Sequence, residues 1–270
     1  MKVLSVLTKG ETVASTMDAA VLAAASVPCM SLEVLEVVLE PALVAASPEE
    51  MDIKQLRALV EGSPAERRQE IVNAFHAWKD QQPPGTPEFT WRTITGAQSR
   101  SVIAERSADV ALMVISHNNT IDAAHAYHFA LFSMHRPVLL VPEGWRAGPR
   151  KTFAHIAVGL TDDAVTRRAV EAATPWLTAA QRISAICLTD EKNADVLKAI
   201  MHQAKIDAEF DIPPYSPQKI GVQLVHEADR LGADILIAGV YRHSKALQWL
   251  LGHTTRELVN TMDLPLFLAH

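Results

Sequence analysis

The sequence is poor in cysteine and aromatics and has no excess of positive charge. Only Cys29 and Cys187 occur among 270 residues. They lie far apart and outside any metal-like spacing, so neither a disulfide scaffold nor a zinc module is encoded. Both sit among apolar neighbours and read as buried thiols in a reducing compartment. Lys and Arg number 25 against 31 Asp and Glu, a net charge of −6. There is no basic field to attract nucleic acid or an anionic membrane, so neither is an expected partner. No stretch reaches the ~18 uncharged apolar residues that a membrane span needs. The run 19–30 (AAVLAAASVPCM) follows Glu11 and Asp18, where a signal peptide would have a basic stretch, and reads as a buried helix. The expected location is therefore the cytoplasm. Neither a P-loop nor a GxGxxG turn is present, which removes the common nucleotide fingerprints.

What is present is an alternation. Apolar runs at Val3–Leu7, Leu32–Leu39, Phe89–Thr95, Val110–Ile115 and Val138–Val141 are separated by helix candidates near 12–27, 48–79, 98–107 and 121–134. Ser47, Pro48, Glu49 and Glu50 have the composition of a helix start. A Pro- and Gly-rich stretch follows from Pro142 to Pro149, and the alternation then restarts. Strands are expected at Ile156–Leu160, Ile183–Leu188, Ile235–Val240 and Leu266–Ala269, with a short one at Ala208–Ile212. Helices are expected near 164–179, 191–206, 217–231 and 246–261. The second half copies the first: Ser107–Val110 matches Gly232–Ile235, and Arg136–Val141 matches Leu264–Ala269, about 125–128 residues apart. The expectation is α/β, with two tandem doubly wound, mainly parallel sheets of about five strands. The expected division is a first domain at 1–143, a linker at 144–152 and a second domain at 153–270.

One segment is site-like. A strand ends at Gly239, and a loop with Arg242, His243 and Ser244 leads to a helix; Gly252, His253, Thr254 and Thr255 follow. Ligands of open parallel sheets bind beyond the carboxyl ends of strands. Helix-start N–H groups favour an anion there, and Gly239 lets backbone approach closely. The plainer alternative is that Gly239 makes a tight turn and Gly252 a close helix–sheet contact.

This segment resembles the bacterial universal stress protein family, whose motif is Gly, two residues, Gly, nine residues, Gly and then Ser or Thr. Gly239 takes the first place and Gly252 the third, with His243 to Leu251 as the nine residues between. Arg242 replaces the second glycine, and His253 the first Ser/Thr. The segment Ile156–Asp163 is similar to the family's first strand and turn, with Thr161 where ATP-binding members carry Asp, and Asp162 next. The likeness covers 153–270 well and the first half in outline. It implies a Rossmann-like fold of the adenine nucleotide alpha hydrolase type. It also implies ATP as a regulatory ligand in a stress response, with contacts from Gly239, Arg242, His243, Ser244, Gly252, His253, Thr254, Thr255, Thr161 and Asp162. A Mg²⁺ contact is left open. Ser116–Thr120 stands where the first-half loop belongs but lacks glycine, so that pocket is expected to be degenerate. The family pairs terminal strands antiparallel, so Val138–Val141 and Leu266–Ala269 are expected to pair within the chain as a pseudo-dimer, with chain-to-chain dimerisation a further option. The alternatives are a nucleotide-free interaction module with protein partners still to be found, and a weak ATPase.

Other candidates have bland readings. His125 and His128 share a helix face, but no carboxylate or Cys completes a metal set. Asp162 and Asp163 read as helix caps. Ser244 has no nucleophile elbow, so no catalytic residue is assigned. Glu66, Arg67, Arg68, Glu70 and Lys79 read as the solvated face of a long helix.

Overall fold

The computed structural model describes residues 1–38, 61–84, 86, 88–95, 109–118, 120–160, 163–188, 191–214, 219–240 and 253–270. Its centre is one sheet of ten strands. The strands are β1 (Lys2–Leu7), β2 (Ser31–Val38), β3 (Phe89–Thr95), β4 (Val110–His117), β5 (Val138–Pro142), β6 (His155–Leu160), β7 (Arg182–Cys187), β8 (Glu209–Asp211), β9 (Ile235–Gly239) and β10 (Leu266–Ala269). Their order is β3-β2-β1-β4-β5-β10-β9-β6-β7-β8. All neighbours are parallel except the central pair, where Leu266, Phe267 and Leu268 face Leu140, Leu139 and Val138 antiparallel. Each half is thus a five-stranded parallel sheet, and the two terminal strands join them within the chain.

The strands form because a parallel sheet covered on both faces wants continuous apolar runs. Side chains alternate between two cores. Val3, Leu7, Leu139, Val141, Phe267 and Ala269 enter one core; Leu4, Val6, Val138, Leu140, Leu266 and Leu268 enter the other. Both cores run unbroken through the β5–β10 seam.

Seven helices are described: α1 (Val13–Ala25), α2 (Pro64–Lys79), α3 (Ile121–His128), α4 (Asp163–Ala179), α5 (Glu191–Gln203), α6 (Ile220–Arg230) and α7 (His253–Thr261). A short 3-10 turn (Gly10–Thr12) leads into α1, and a π-turn (Phe129–Ser133) extends α3. Helix α2 starts on a capping box: the Ser63 hydroxyl accepts from Glu66 N–H, Glu66 Oε2 accepts from Ser63 N–H, and Pro64 opens the helix. The start expected at Ser47 and the helix expected over 98–107 lie outside the described residues.

Two expectations are corrected. Helix α2 does not present its charges uniformly to solvent: Arg67 is buried on the same stripe as Ile71, Phe75 and Trp78. Cys29 is not buried. It sits exposed in the turn after α1, whereas Cys187 is buried as expected. Among the described residues no helix is long and apolar enough to cross a membrane.

Candidate functional site

Each half has one place where the chain leaves neighbouring strands in opposite directions. In the first half it lies between β1 and β4, in the second between β6 and β9. Crevices at such switch points are where open α/β sheets take ligands.

In the second half, β6 ends at Leu160 and β9 at Gly239, and Ile156, Ala157 and Val158 pair with Ile235, Leu236 and Ile237. Thr161 and Asp162 follow the first strand, and the segment 241–252 follows the second. Thr161, Asp162, Arg242, His243, Ser244 and Gly252 lie outside the described residues, as does the side chain of Asp163. Gly239 is described, and its neighbour is protein: a Cβ there would stand 2.4 Å from Val165 Cγ1 and 2.5 Å from Val165 O. Its missing side chain lets α4 cross β9 closely. The backbone beyond it is tied to β10, with Val240 N–H donating to Ala269 O at 2.9 Å and His270 Nδ1 lying 3.0 Å from Val240 O. Phe132 of the π-turn packs edge-on against the His270 ring, and the His135 ring stacks on it.

Helix α7 begins at His253 on the far side of 241–252. The His253 side chain is 71% exposed and its Nε2 lies 3.1 Å from Glu257 Oε1, one turn on. Glu257 Oε2 also accepts from Gly221 N–H. A Cβ on Gly221 would meet Thr254 O at 2.4 Å, so this glycine lets α6 and α7 touch. Thr254 is half-buried and Thr255 buried. Of the residues expected to hold a nucleotide, Gly239, His253, Thr254 and Thr255 are therefore described, and two of them already serve the protein itself. Among the described residues no group of three metal-binding side chains converges.

The first-half crevice, expected to be degenerate, is lined by described residues. It encloses about 470 Å³ between the turn after β1, the start of α2, Thr120 before α3 and Glu143 after β5. Its loop after β4 is spent on itself, since Asn118 Oδ1 accepts from Thr120 N–H and Thr120 Oγ1 accepts from Ala123 N–H. The wall instead carries Lys9, Glu11, Glu61, Arg67, Glu70 and Glu143. Arg67 Nη1 donates to the wholly buried Asp122 at 2.8 Å and faces Glu61 at 3.5 Å. Lys9 Nζ contacts Glu11 and lies 3.7 Å from Glu143, and these carboxylates raise its pKa. At the end of β4, burial lowers the His117 pKa, and Glu143 partly offsets this. A signal for Arg67 was in the sequence: positions 67, 71, 75 and 78 recur at helical spacing, which puts Arg67 on the apolar stripe.

The chain matches no protein-family model and no curated protein in sequence. Its structure is similar to several solved ones. A universal stress protein from Archaeoglobus fulgidus is 14% identical with a TM-score of 0.60, over 99% of this chain and 97% of that one. A functionally unknown protein from Pseudomonas aeruginosa is 15% identical with a TM-score of 0.53, over 99% and 92%. Another Pseudomonas aeruginosa protein, provisionally described as a universal stress protein, is 14% identical with a TM-score of 0.50, over 99% and 92%. Sequence identity this low speaks to architecture, and over nearly its whole length the chain has the fold of the universal stress proteins.

Proposed function

We propose that this protein is a nucleotide-responsive stress protein that carries out no chemical step. An adenine nucleotide, ATP in the first instance, would bind at the carboxyl edge of the second half. Thr161 and Asp162 would approach it from the end of β6. Arg242, His243, Ser244, Gly252, Thr254 and Thr255 would hold its phosphates, with Arg242 replacing a glycine N–H by a charged donor. The observation that carries this reading is topological. Both segments leave the sheet from adjacent strand ends at the second-half switch point. Binding would favour one conformation and so change affinity for a protein partner.

A nucleotide-free interaction module is the second reading. It is favoured by two facts: Gly239 is explained by Val165, and His253 is held by Glu257.

Calorimetric titration of stripped protein with ATP, with and without Mg²⁺, decides between them. Saturable binding lost in Gly252→Val supports the nucleotide site; no binding heat at millimolar ATP leaves the interaction module. Gly239 is the wrong residue to test, because any side chain there collides with α4 whether or not a ligand binds. Phosphate release above background would revive an ATPase.

A further inference from the structure

We propose that the first half sets the exit of the second-half site: Phe132 and His135 act through His270 as positioning residues for the chain that leaves β9. The inference deepens the nucleotide reading and rests on it for the identity of the ligand. Both polar groups of the Val240 backbone are held. Its N–H donates to Ala269 O at 2.9 Å, and its carbonyl lies 3.0 Å from His270 Nδ1. A carbonyl only accepts, so Nδ1 carries the proton there. The place of the His270 ring therefore governs how the chain enters 241–252. That ring is held from the first half. Phe132 meets it at 5.1 Å between centroids and 67° between planes, and His135 lies over it at 5.8 Å and 16°.

The two supporting rings are themselves fixed. Phe132 packs on the core that takes in Val240 and Leu268, and lies 5.6 Å from the His128 ring. The π-turn is closed by Met134 N–H on Phe129 O and Arg136 N–H on Ala130 O. His135 follows at φ 49°, a left-handed backbone that costs a histidine free energy and is kept where it lays the ring on His270. The two copies of the fold differ at this point. Arg136–Val141 aligns on Leu264–Ala269, which makes the β5–β10 ladder symmetric about Leu139 and Phe267. Continued outward, that alignment puts Pro142 in the place of His270, Asn260 in that of Phe132 and Asp263 in that of His135. Pro142 has no side-chain donor, and Asn260 and Asp263 have no ring. The cluster is thus built at one of two matching corners. It is the corner whose strand leads into the glycine-spaced segment that begins at Gly239.

Full-length variants are compared with the parent well below their melting temperatures. His270→Ala is expected to weaken ATP binding about tenfold. Phe132→Leu and His135→Asn, which leave the Val240 contact itself in place, should each weaken it about threefold. His270→Asn returns a side-chain N–H near the position of Nδ1 and should recover part of the loss. Exchange of the Val240 amide, followed by NMR, should be about tenfold faster in His270→Ala and also faster than the parent in Phe132→Leu. Asn260→Ala, at the matching corner, should leave both readouts alone. Unchanged Val240 exchange in every variant would overturn the proposal, whether or not ATP binds. So would faster exchange with parental ATP affinity, which would make the contact purely structural. If the parent binds no ATP, the nucleotide reading falls alone; faster exchange in Phe132→Leu would still establish that the first half controls this exit. If His270→Ala fails to fold, Phe132→Leu and His135→Asn carry the test.

Discussion

At the scale of single residues, the first half is unusual for the charge it buries. Arg67 and Asp122 are 55 positions apart in sequence and form a 2.8 Å pair with side chains 9% and 0% exposed. Removing one partner takes from the other buried charge its 2.8 Å counter-ion, which typically costs about 3–5 kcal/mol. Arg67→Met should therefore lower the urea midpoint sharply, and Arg67→Met/Asp122→Leu should recover most of the loss. A single variant as stable as the parent would mean the pair is solvated. Glu36 gives a pH signature. Burial pushes its carboxyl up, and the Thr93 hydroxyl and Arg68 pull it part of the way back. A carboxyl raised in the folded state supports folding best in its acid form, so that support fades as pH rises above the ordinary glutamate range. Glu36→Gln should match the parent in melting temperature near pH 4 and gain on it by pH 7. The thiols differ as well: burial raises the Cys187 pKa to about 11, while Cys29 is exposed. A thiol reagent at about pH 8 should titrate one group per native chain and both after denaturation.

At the scale of elements, the inner strands were the most legible feature, because β1, β4, β5, β6, β9 and β10 are largely buried and appear as apolar runs, whereas the edge strands β3 and β8 are half-buried to exposed. Helix ends were harder to place. The start of α2 at Ser63-Pro64 was not read from the sequence, and it is set by the reciprocal Ser63–Glu66 bonds, which only geometry supplies. Losing that box in Ser63→Ala should cost about 1 kcal/mol of stability, read by chemical denaturation. Gly239 shows the opposite difficulty. Its spacing in the motif was plain, but its steric neighbour, Val165, comes from a helix 74 positions earlier in the chain. Gly239→Ala should destabilise by about 1–3 kcal/mol through overpacking, with or without ATP present. The first-half crevice was invisible for the same reason. Its walls come from the turn after β1, the start of α2 and the turns before α3 and after β5, and no local pattern joins them.

At the scale of the whole molecule, the question is whether two copies of one fold behave as one body. The seam suggests that they do. Leu139, Leu140, Leu266, Phe267 and Leu268 are all at most 1% exposed, and both cores pass through them. The helices reinforce the strands on one face. Trp176 of α4 donates its indole N–H to Ala23 O of α1 at 2.9 Å, and Phe153 N–H donates to Ser26 Oγ at 2.8 Å. Asp18 of α1 accepts from both the Trp78 indole and the Ala147 N–H, which fixes the connection between the halves. An interface continuous with the core and anchored by buried hydrogen bonds should couple the halves, and a coupled pair unfolds in one step. Tryptophan fluorescence, which follows Trp78 and Trp91 in the first half, Trp145 in the connection and Trp176 and Trp249 in the second half, should therefore share one denaturation midpoint with far-UV circular dichroism. Leu139→Asp would place an uncompensated charge in the seam and should separate the transition into two. Two transitions already present in the parent would mean that each half is stable alone. The β5–β10 ladder would then be a docking contact, and a ligand bound in one half could not signal to the other through it.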